Sequence, residues 1–210
     1  MGLQFIIVRH GETEWNREDK LQGQIDIALS EKGIKQAKEI AKLLKKEKIY
    51  TIYSSDLSRA VITAEEINKY HHIKIKKSKN LREIDLGDAN GTLRSELAQK
   101  FPEFMEAKKN NYFNASYPNG ESYKDVQERV KKFLSEIKEK NGTILVVAHQ
   151  GFNRTLIGYL GGIDDLKMTS IEVPHDVIYF VDADTKEIRY KKAGRMHDGY
   201  LVRNKAKFSL

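Results

Sequence analysis

Two short apolar runs, each closed by a histidine, constrain this chain more than any other feature. Leu3-Gln4-Phe5-Ile6-Ile7-Val8 ends in Arg9-His10-Gly11, and Thr143 to Ala148 ends in His149-Gln150-Gly151. Largely unbroken rather than alternating apolarity marks a strand buried on both faces, as in a sheet sandwiched between helices. In an open parallel sheet, ligands bind beyond the carboxyl ends of the strands. Two such strands side by side would hold His10 and His149 across one pocket. Taken singly, a histidine at a strand end is equally well a polar residue in a surface loop.

The intervening segments supply the helices for such a sheet. Ser30 can cap a helix to about Glu47, with Ile34, Ala37, Ile40, Ala41 and Leu44 at helical spacing. Residues 49–53 read as a strand. A helix over roughly 57–69 follows, with cap choices in Ser54-Ser55-Asp56 and an inner face of Leu57, Ala60, Val61, Ala64 and Ile67. Residues 73–75 suggest an edge strand, and 81–86 an extended segment. Ser122 can cap a helix to about Lys140, stopped by Asn141-Gly142. A further helix runs from the His149 loop to Leu160, where Gly161-Gly162 ends it. The tail reads as antiparallel strands at 177–181 and 187–191, with a turn near Asp182-Ala183-Asp184. The fold class expected is α/β: a three-layer α/β/α sandwich, mostly parallel with an antiparallel edge. Residues 11–29 read as an irregular loop. Residues 88–120 read as a helical, cap-like insertion over the sheet, too short to hold a core of its own, so one domain over 1–210 is expected.

Composition narrows the function. The 210 residues carry 37 Lys plus Arg against 30 Asp plus Glu, a formal charge of +7 without a basic tail. A mild positive field suits an anionic ligand as well as it suits a solvated lysine-rich face. No basic stripe with interleaved aromatics argues for nucleic acid. The absence of cysteine excludes disulfides, thiolate catalysis and Cys-ligated zinc. No basic region followed by an apolar run opens the chain, and no stretch nears the roughly 18 apolar residues of a membrane span. The expectation is a cytoplasmic protein with neither membrane nor nucleic-acid partner. Nothing decides between monomer and homodimer.

With no cysteine and no His-Glu-x-x-His arrangement, histidine, arginine and carboxylate remain as carriers of chemistry. Arg9 flanks His10. Arg59, in Ser54-Ser55-Asp56-Leu57-Ser58-Arg59-Ala60, interrupts an otherwise apolar helical face. Glu83 sits in Leu81-Arg82-Glu83-Ile84-Asp85-Leu86-Gly87, where a solvated carboxylate is the plain alternative. Two arginines, two histidines and a carboxylate suffice for phosphoryl transfer: guanidiniums grip phosphoryl oxygens, an imidazole attacks phosphorus, and a carboxylic acid protonates the leaving oxygen.

Arg9-His10-Gly11-Glu12-Thr13 with Trp15-Asn16 resembles the signature of the histidine phosphatase superfamily, in its phosphoglycerate mutase-like branch. The resemblance continues in family order through Leu21-Gln22-Gly23, Asp26, Leu29, Gly33, Gln36 and Ala37. It runs on through Tyr53 to Ala60, Thr63-Ala64, Leu81-Arg82-Glu83, Gly120-Glu121-Ser122 and Val146-Val147-Ala148-His149. It implies a metal-independent phosphatase of small phosphomonoesters, needing no cofactor, with His10 as the nucleophile that becomes phosphorylated. Arg9, Arg59 and His149 would complete the phosphate pocket, Asn16 would add a donor, and Gln22, Gly23 and Gln150 would contribute to binding. Glu83 would be the proton donor and later the base. A hydrogen bond from the far nitrogen of His10 to a backbone carbonyl would fix its neutral tautomer, and Gly11 would let backbone approach closely. A cofactor-dependent phosphoglycerate mutase, or a non-catalytic member that binds phospho-ligands, is the alternative. Three departures from the family pattern are expected to alter pocket walls: Asp88-Ala89-Asn90-Gly91, Gln150 after His149, and Glu172-Val173-Pro174-His175, where many members have an asparagine.

Overall fold

The computed structural model describes residues 2–203; the rest of the expected 1–210 domain span, Met1 and 204–210, lies outside the described residues. Seven strands form one sheet: β1 (Leu3–Arg9), β2 (Ile49–Ser55), β3 (Ile75–Ser78), β4 (Gly142–Ala148), β5 (Val177–Asp182), β6 (Ile188–Lys192) and β7 (Arg195–Asp198), in the order β3-β2-β4-β1-β5-β6-β7. β3, β2, β4 and β1 are mutually parallel, and β5, β6 and β7 add an antiparallel margin. The two histidine-tipped runs are neighbours, as expected, with Val8 opposite Val147 and Arg9 opposite Ala148.

The helices are α1 (Glu14–Arg17), α2 (Glu31–Leu44), α3 (Ser58–Asn68), α4 (Leu97–Lys100), α5 (Pro102–Asn111), α6 (Tyr123–Glu136), α7 (Gln150–Leu160) and α8 (Asp165–Met168). Side chains alternate across a strand, so each buried strand feeds two cores. Ile6, Val8, Leu145 and Val147 pack with Ile40, Leu44, Ala60 and Ala64 of α2 and α3. Phe5, Ile7, Ile144 and Val146 pack with Val126, Val130 and Phe133 of α6 and Phe152 and Leu156 of α7. The result is the expected three-layer α/β/α sandwich. Phe104, Phe113, Ala115 and Tyr117 of the insertion join that second core rather than forming their own.

Several local expectations need correction. Ile34 is exposed, and Gly33 takes the inward position of α2. A Cβ on Gly33 would lie 2.0 Å from the carbonyl oxygen of Glu12, and one on Gly11 would lie 2.2 Å from that of Gly33. The close approach that needs Gly11 is therefore against α2. The cap of α3 comes from a distant loop: Asp26 accepts from the backbone N–H of Ser58 at 2.8 Å and from its hydroxyl at 2.7 Å, while Leu57 stands at the N-cap without a side-chain cap. α6 stops at Glu136, because Glu139 is drawn to Thr51 (2.8 Å) and Lys76 (2.7 Å) at the sheet edge. Sequence patterning also missed α1, α8 and β7, which are short, and β7 is exposed throughout.

Candidate active site

The site grows from the ends of β1 and β4. The backbone N–H of His10 donates to Ala148 at 3.0 Å, tying the two strand ends together. The ring of His10 stands 5.0 Å from that of His149 and 5.5 Å from that of His175, centroid to centroid. Nδ1 of His10 lies 2.7 Å from the carbonyl oxygen of Gly11. A carbonyl only accepts, so Nδ1 carries the hydrogen and Nε2 keeps the lone pair. Gly11 in turn donates its N–H to Thr63 at 3.2 Å, and the Thr63 hydroxyl donates to the Arg59 carbonyl at 2.8 Å. The loop carrying His10 is thus pinned to the first turns of α3.

Burial, followed by the charge of Arg59, holds both His10 and His149 well below the ordinary imidazole range. His175, which donates from Nδ1 to the His10 carbonyl at 2.6 Å, is pushed down to about 3 by burial and then by Arg9. All three rings are neutral at pH 7.

Two guanidiniums face this cluster. Arg59 is 1% exposed and donates to the carbonyls of Ile25 (2.7 Å) and Gly23 (2.8 Å). Arg9 donates to that of Val173 at 3.3 Å. Carbonyls orient a guanidinium without neutralising it. Burial, the main cause, pulls both arginines to about 10, so both stay charged at neutral pH. The Nε atoms of Arg9 and Arg59, both ring nitrogens of His149 and Oε1 of Gln22 are buried with no hydrogen-bond partner in the protein. The two guanidinium Nε–H groups among these are unpaired buried donors, which an anion can satisfy.

Glu83 approaches from the other side. Its Oε1 accepts from the backbone N–H groups of Ile84 (2.9 Å), Gly151 (2.8 Å) and Phe152 (3.3 Å). The last two are free amides of the first turn of α7, which favour negative charge. Arg129 braces the loop by donating to the carbonyls of Asn80 (2.7 Å), Arg82 (2.9 Å) and Glu83 (3.2 Å), and it forms a two-point pair with Glu121 at 2.8 Å for each contact. Arg82 holds Asp56 at 2.7 Å through two nitrogens. No ion pair joins Glu83 to Arg9 or Arg59.

Arg9, His10, Asn16, Gln22, Gly23, Arg59, Glu83 and Gln150 all line one cavity of about 80 Å³. His149 does not reach its wall and backs His10 instead. The oxygen of Asn16 is engaged by Thr13 in a capping box, which leaves its amide nitrogen as the available donor. Gly23 has φ +50, the turn that brings its carbonyl to Arg59. Of the three departures, Gln150 lines the cavity. His175 opens instead on a wider neighbouring cleft of about 750 Å³ beside Arg9, Lys32 and Lys35. Asp88 to Gly91 form no part of the cavity wall, because Ala89 is buried and Gly91 donates its N–H to Leu21 at 2.7 Å. Arg94, Tyr112, Tyr117, Tyr123 and Arg203 also line the cavity and were not foreseen. They come from four separate segments and form no motif; the only visible hint was the polar aromatic stretch Asn110-Asn111-Tyr112-Phe113-Asn114. Among the described residues, no group of three His, Asp or Glu is placed to hold a metal ion, and no helix is long and apolar enough to cross a membrane.

The sequence profile of the histidine phosphatase superfamily (branch 1) matches residues 5–194. The chain is 38% identical over 170 residues to phosphoserine phosphatase 1 of Hydrogenobacter thermophilus, covering 80% of this chain and 81% of that one. It is 31% identical over 221 aligned positions to the 2,3-bisphosphoglycerate-dependent phosphoglycerate mutase of Buchnera aphidicola, covering 88% and 95%. Among solved structures, a putative alpha-ribazole-5'-P phosphatase from Escherichia coli superposes with a TM-score of 0.78 at 26% identity, covering 97% of each chain.

Proposed function

Since the chain belongs to the histidine phosphatase superfamily, we propose that it hydrolyses small phosphomonoesters through a phosphohistidine formed on His10. The observation that carries this is the Nδ1–H to Gly11 contact of His10, in a cavity that also holds two charged guanidiniums. It presents a neutral, fixed Nε2 lone pair where a phosphoryl group would be gripped. Nε2 attacks phosphorus as the bond to the ester oxygen breaks. Arg9 and Arg59 take up charge on the equatorial oxygens, with the neutral ring of His149 standing behind His10. Glu83 supplies the proton that the leaving alkoxide takes. Its Oε1 is engaged by three amide N–H groups, so the transferable proton belongs on Oε2. Water then attacks the phosphohistidine, gives its proton back to Glu83, and releases phosphate and neutral His10.

The purified chain should release phosphate from p-nitrophenyl phosphate, retain turnover after dialysis against EDTA, and yield an acid-labile, alkali-stable phosphoprotein on rapid quenching. Loss of activity on chelation, restored by a divalent ion, would remove the metal-independent route. The similarity to the bisphosphoglycerate-dependent mutase favours a second reading, in which the phosphoryl group is returned to substrate instead of to water. Incubation with 3-phosphoglycerate and a trace of 2,3-bisphosphoglycerate separates the two: 2-phosphoglycerate accumulates in one case and inorganic phosphate in the other.

A further inference from the structure

We propose that His175 and Thr63 are positioning residues for the nucleophile: they grip opposite sides of the peptide between His10 and Gly11, and through it aim the Nε2 lone pair of His10 into the cavity. This deepens, and rests on, the reading of His10 as the attacking group.

The peptide needs such a grip because the sheet no longer holds it. The paired registers end at Arg9 opposite Ala148 and at Val8 opposite Ile178. The last ladder-like bond, from the His10 N–H to Ala148 at 3.0 Å, belongs to the preceding peptide. A peptide is planar, so holding its C=O and its N–H holds the whole unit. The C=O of His10 accepts from Nδ1 of His175 at 2.6 Å. The N–H across the same plane, that of Gly11, donates to the Thr63 hydroxyl at 3.2 Å. This plane decides where the imidazole points. Nδ1 of His10 meets the next carbonyl, that of Gly11, at 2.7 Å, a contact that sets both the tautomer and the rotation of the ring. Turning the His10–Gly11 peptide carries that carbonyl away, and Gly11, without a Cβ, resists such a turn less than any other residue would.

Both grips are themselves anchored. Thr63 is buried, and its hydroxyl donates to the Arg59 carbonyl one turn earlier on α3 at 2.8 Å. His175 follows Pro174 between the buried Val173 and Val177, where β5 begins. That approach is tied down by Arg9, which donates to the Val173 carbonyl at 3.3 Å, and by the Tyr179 hydroxyl, which donates to the Glu172 carbonyl at 2.6 Å. Neither His175 nor Thr63 lines the catalytic cavity, so each acts through His10 rather than on a ligand. The His175 ring opens on the wide neighbouring cleft, so trimming it removes a donor without hollowing the core.

The test compares His175→Leu and Thr63→Val, which remove the donor and the acceptor, with His175→Asn and Thr63→Ser, which keep them. The Asn nitrogen stands as many bonds from Cβ as Nδ1 does. Rapid quenching of the full chain should show phosphohistidine formation slowed by roughly 10- to 100-fold in each of the first pair. The loss should be the same for alkyl and aryl phosphates, because the attacking atom is displaced and the proton donor is not. The inhibition constant for inorganic phosphate should stay within about twofold, since Arg9 and Arg59 still grip the anion. The conservative pair should recover most of the rate. His175→Leu combined with Thr63→Val should be little slower than either alone, because a peptide released on one side is already free. Full rates in the first pair, a loss that the conservative pair does not repair, or phosphate affinity falling in step with the rate would overturn the proposal. Where a variant at one position fails to fold, the pair at the other position decides.

Proton–nitrogen correlation spectra of the His10 ring give a readout free of turnover. The wild type should show the Nδ1–H tautomer alone, and His175→Leu and Thr63→Val a mixture with the Nε2–H form. That change in a chain that hydrolyses no ester defeats the hydrolase and keeps the grip. A hydrolase whose His10 ring and rate ignore both substitutions does the reverse.

Discussion

The floor of the cavity and its insertion wall are held in different ways. On the floor, His10 stands just beyond β1 with His149 behind it at the end of β4, and local contacts fix His10: its N–H to Ala148, Nδ1 to Gly11, and the Gly11 N–H to the Thr63 hydroxyl. The wall takes Arg94 and Tyr112 from the insertion, Tyr123 from α6 and Arg203 from the end of the described chain. These segments are joined by loop contacts, such as the Arg94 N–H to the Asp19 carbonyl at 3.0 Å and the Arg203 N–H to the Ser170 carbonyl at 2.9 Å, rather than by sheet register. Machinery fixed by sheet register tolerates little change, whereas a wall assembled from side chains can be rebuilt one residue at a time. Under the proposed function, the chemistry sits on the floor.

The comparison is tested most severely at the floor. His10→Ala should lower turnover by roughly 10⁴-fold or more, as removal of a nucleophile does. Stability should barely change, since the ring ends a loop and fills no apolar core. Retained turnover in the folded variant would move the nucleophile to His149.

Glu83→Gln should cost roughly 10²–10⁴-fold with an alkyl phosphate and far less with an aryl phosphate, whose phenolate leaves without a proton. Measured as kcat/KM for both esters across pH 5 to 8, equal losses would assign Glu83 to shaping the pocket only.

A smaller effect is expected where floor and wall meet. Arg129 touches no ligand position but ties Glu121 to three carbonyls of the Glu83 loop. Arg129→Met should lower kcat for alkyl esters by roughly 10- to 100-fold through misplacement of Glu83, and the loss should be smaller for aryl esters. A uniform loss across both would indicate general unfolding of the loop.

The smallest effect is on stability against pH. His175 is neutral in the fold, with its pKa at about 3 against 6.5 for the free side chain. The unfolded chain therefore binds the extra proton below pH 6.5. Its share of stability is whole above that pH and is lost as pH falls, at about 1.4 kcal/mol per unit until the folded pKa is reached. His10 and His149 act with the same sign. Urea unfolding at pH 7 and pH 5 should show the loss, and His175→Phe should remove about 2 kcal/mol of it. An unchanged slope in that variant would show that the ring is not held neutral.

Much of the floor was legible in the chain because it is local. An apolar run, a histidine beyond it and an arginine beside it are contiguous at Arg9-His10, and Arg59 stands out as a charge on an apolar face. Those patterns also sufficed for the sandwich, since a strand buried on both faces has to alternate with covering helices. Even so, the cap of α3 at Asp26, the early stop of α6 at the pull of Glu139, and the inward turn of Gly33 in place of Ile34 were beyond reach. Each depends on a partner 20 or more residues away or on the shape of a neighbouring backbone. The same holds for Glu83, whose sequence context does not distinguish a solvated carboxylate from one seated on the amides of Gly151 and Phe152. Periodicity and composition determined which segments are buried and which end in chemistry, because hydrophobic burial is read along the chain. Only the tertiary structure decided which polar groups meet, because a hydrogen bond is specified by two positions in space and the sequence orders only one of them at a time.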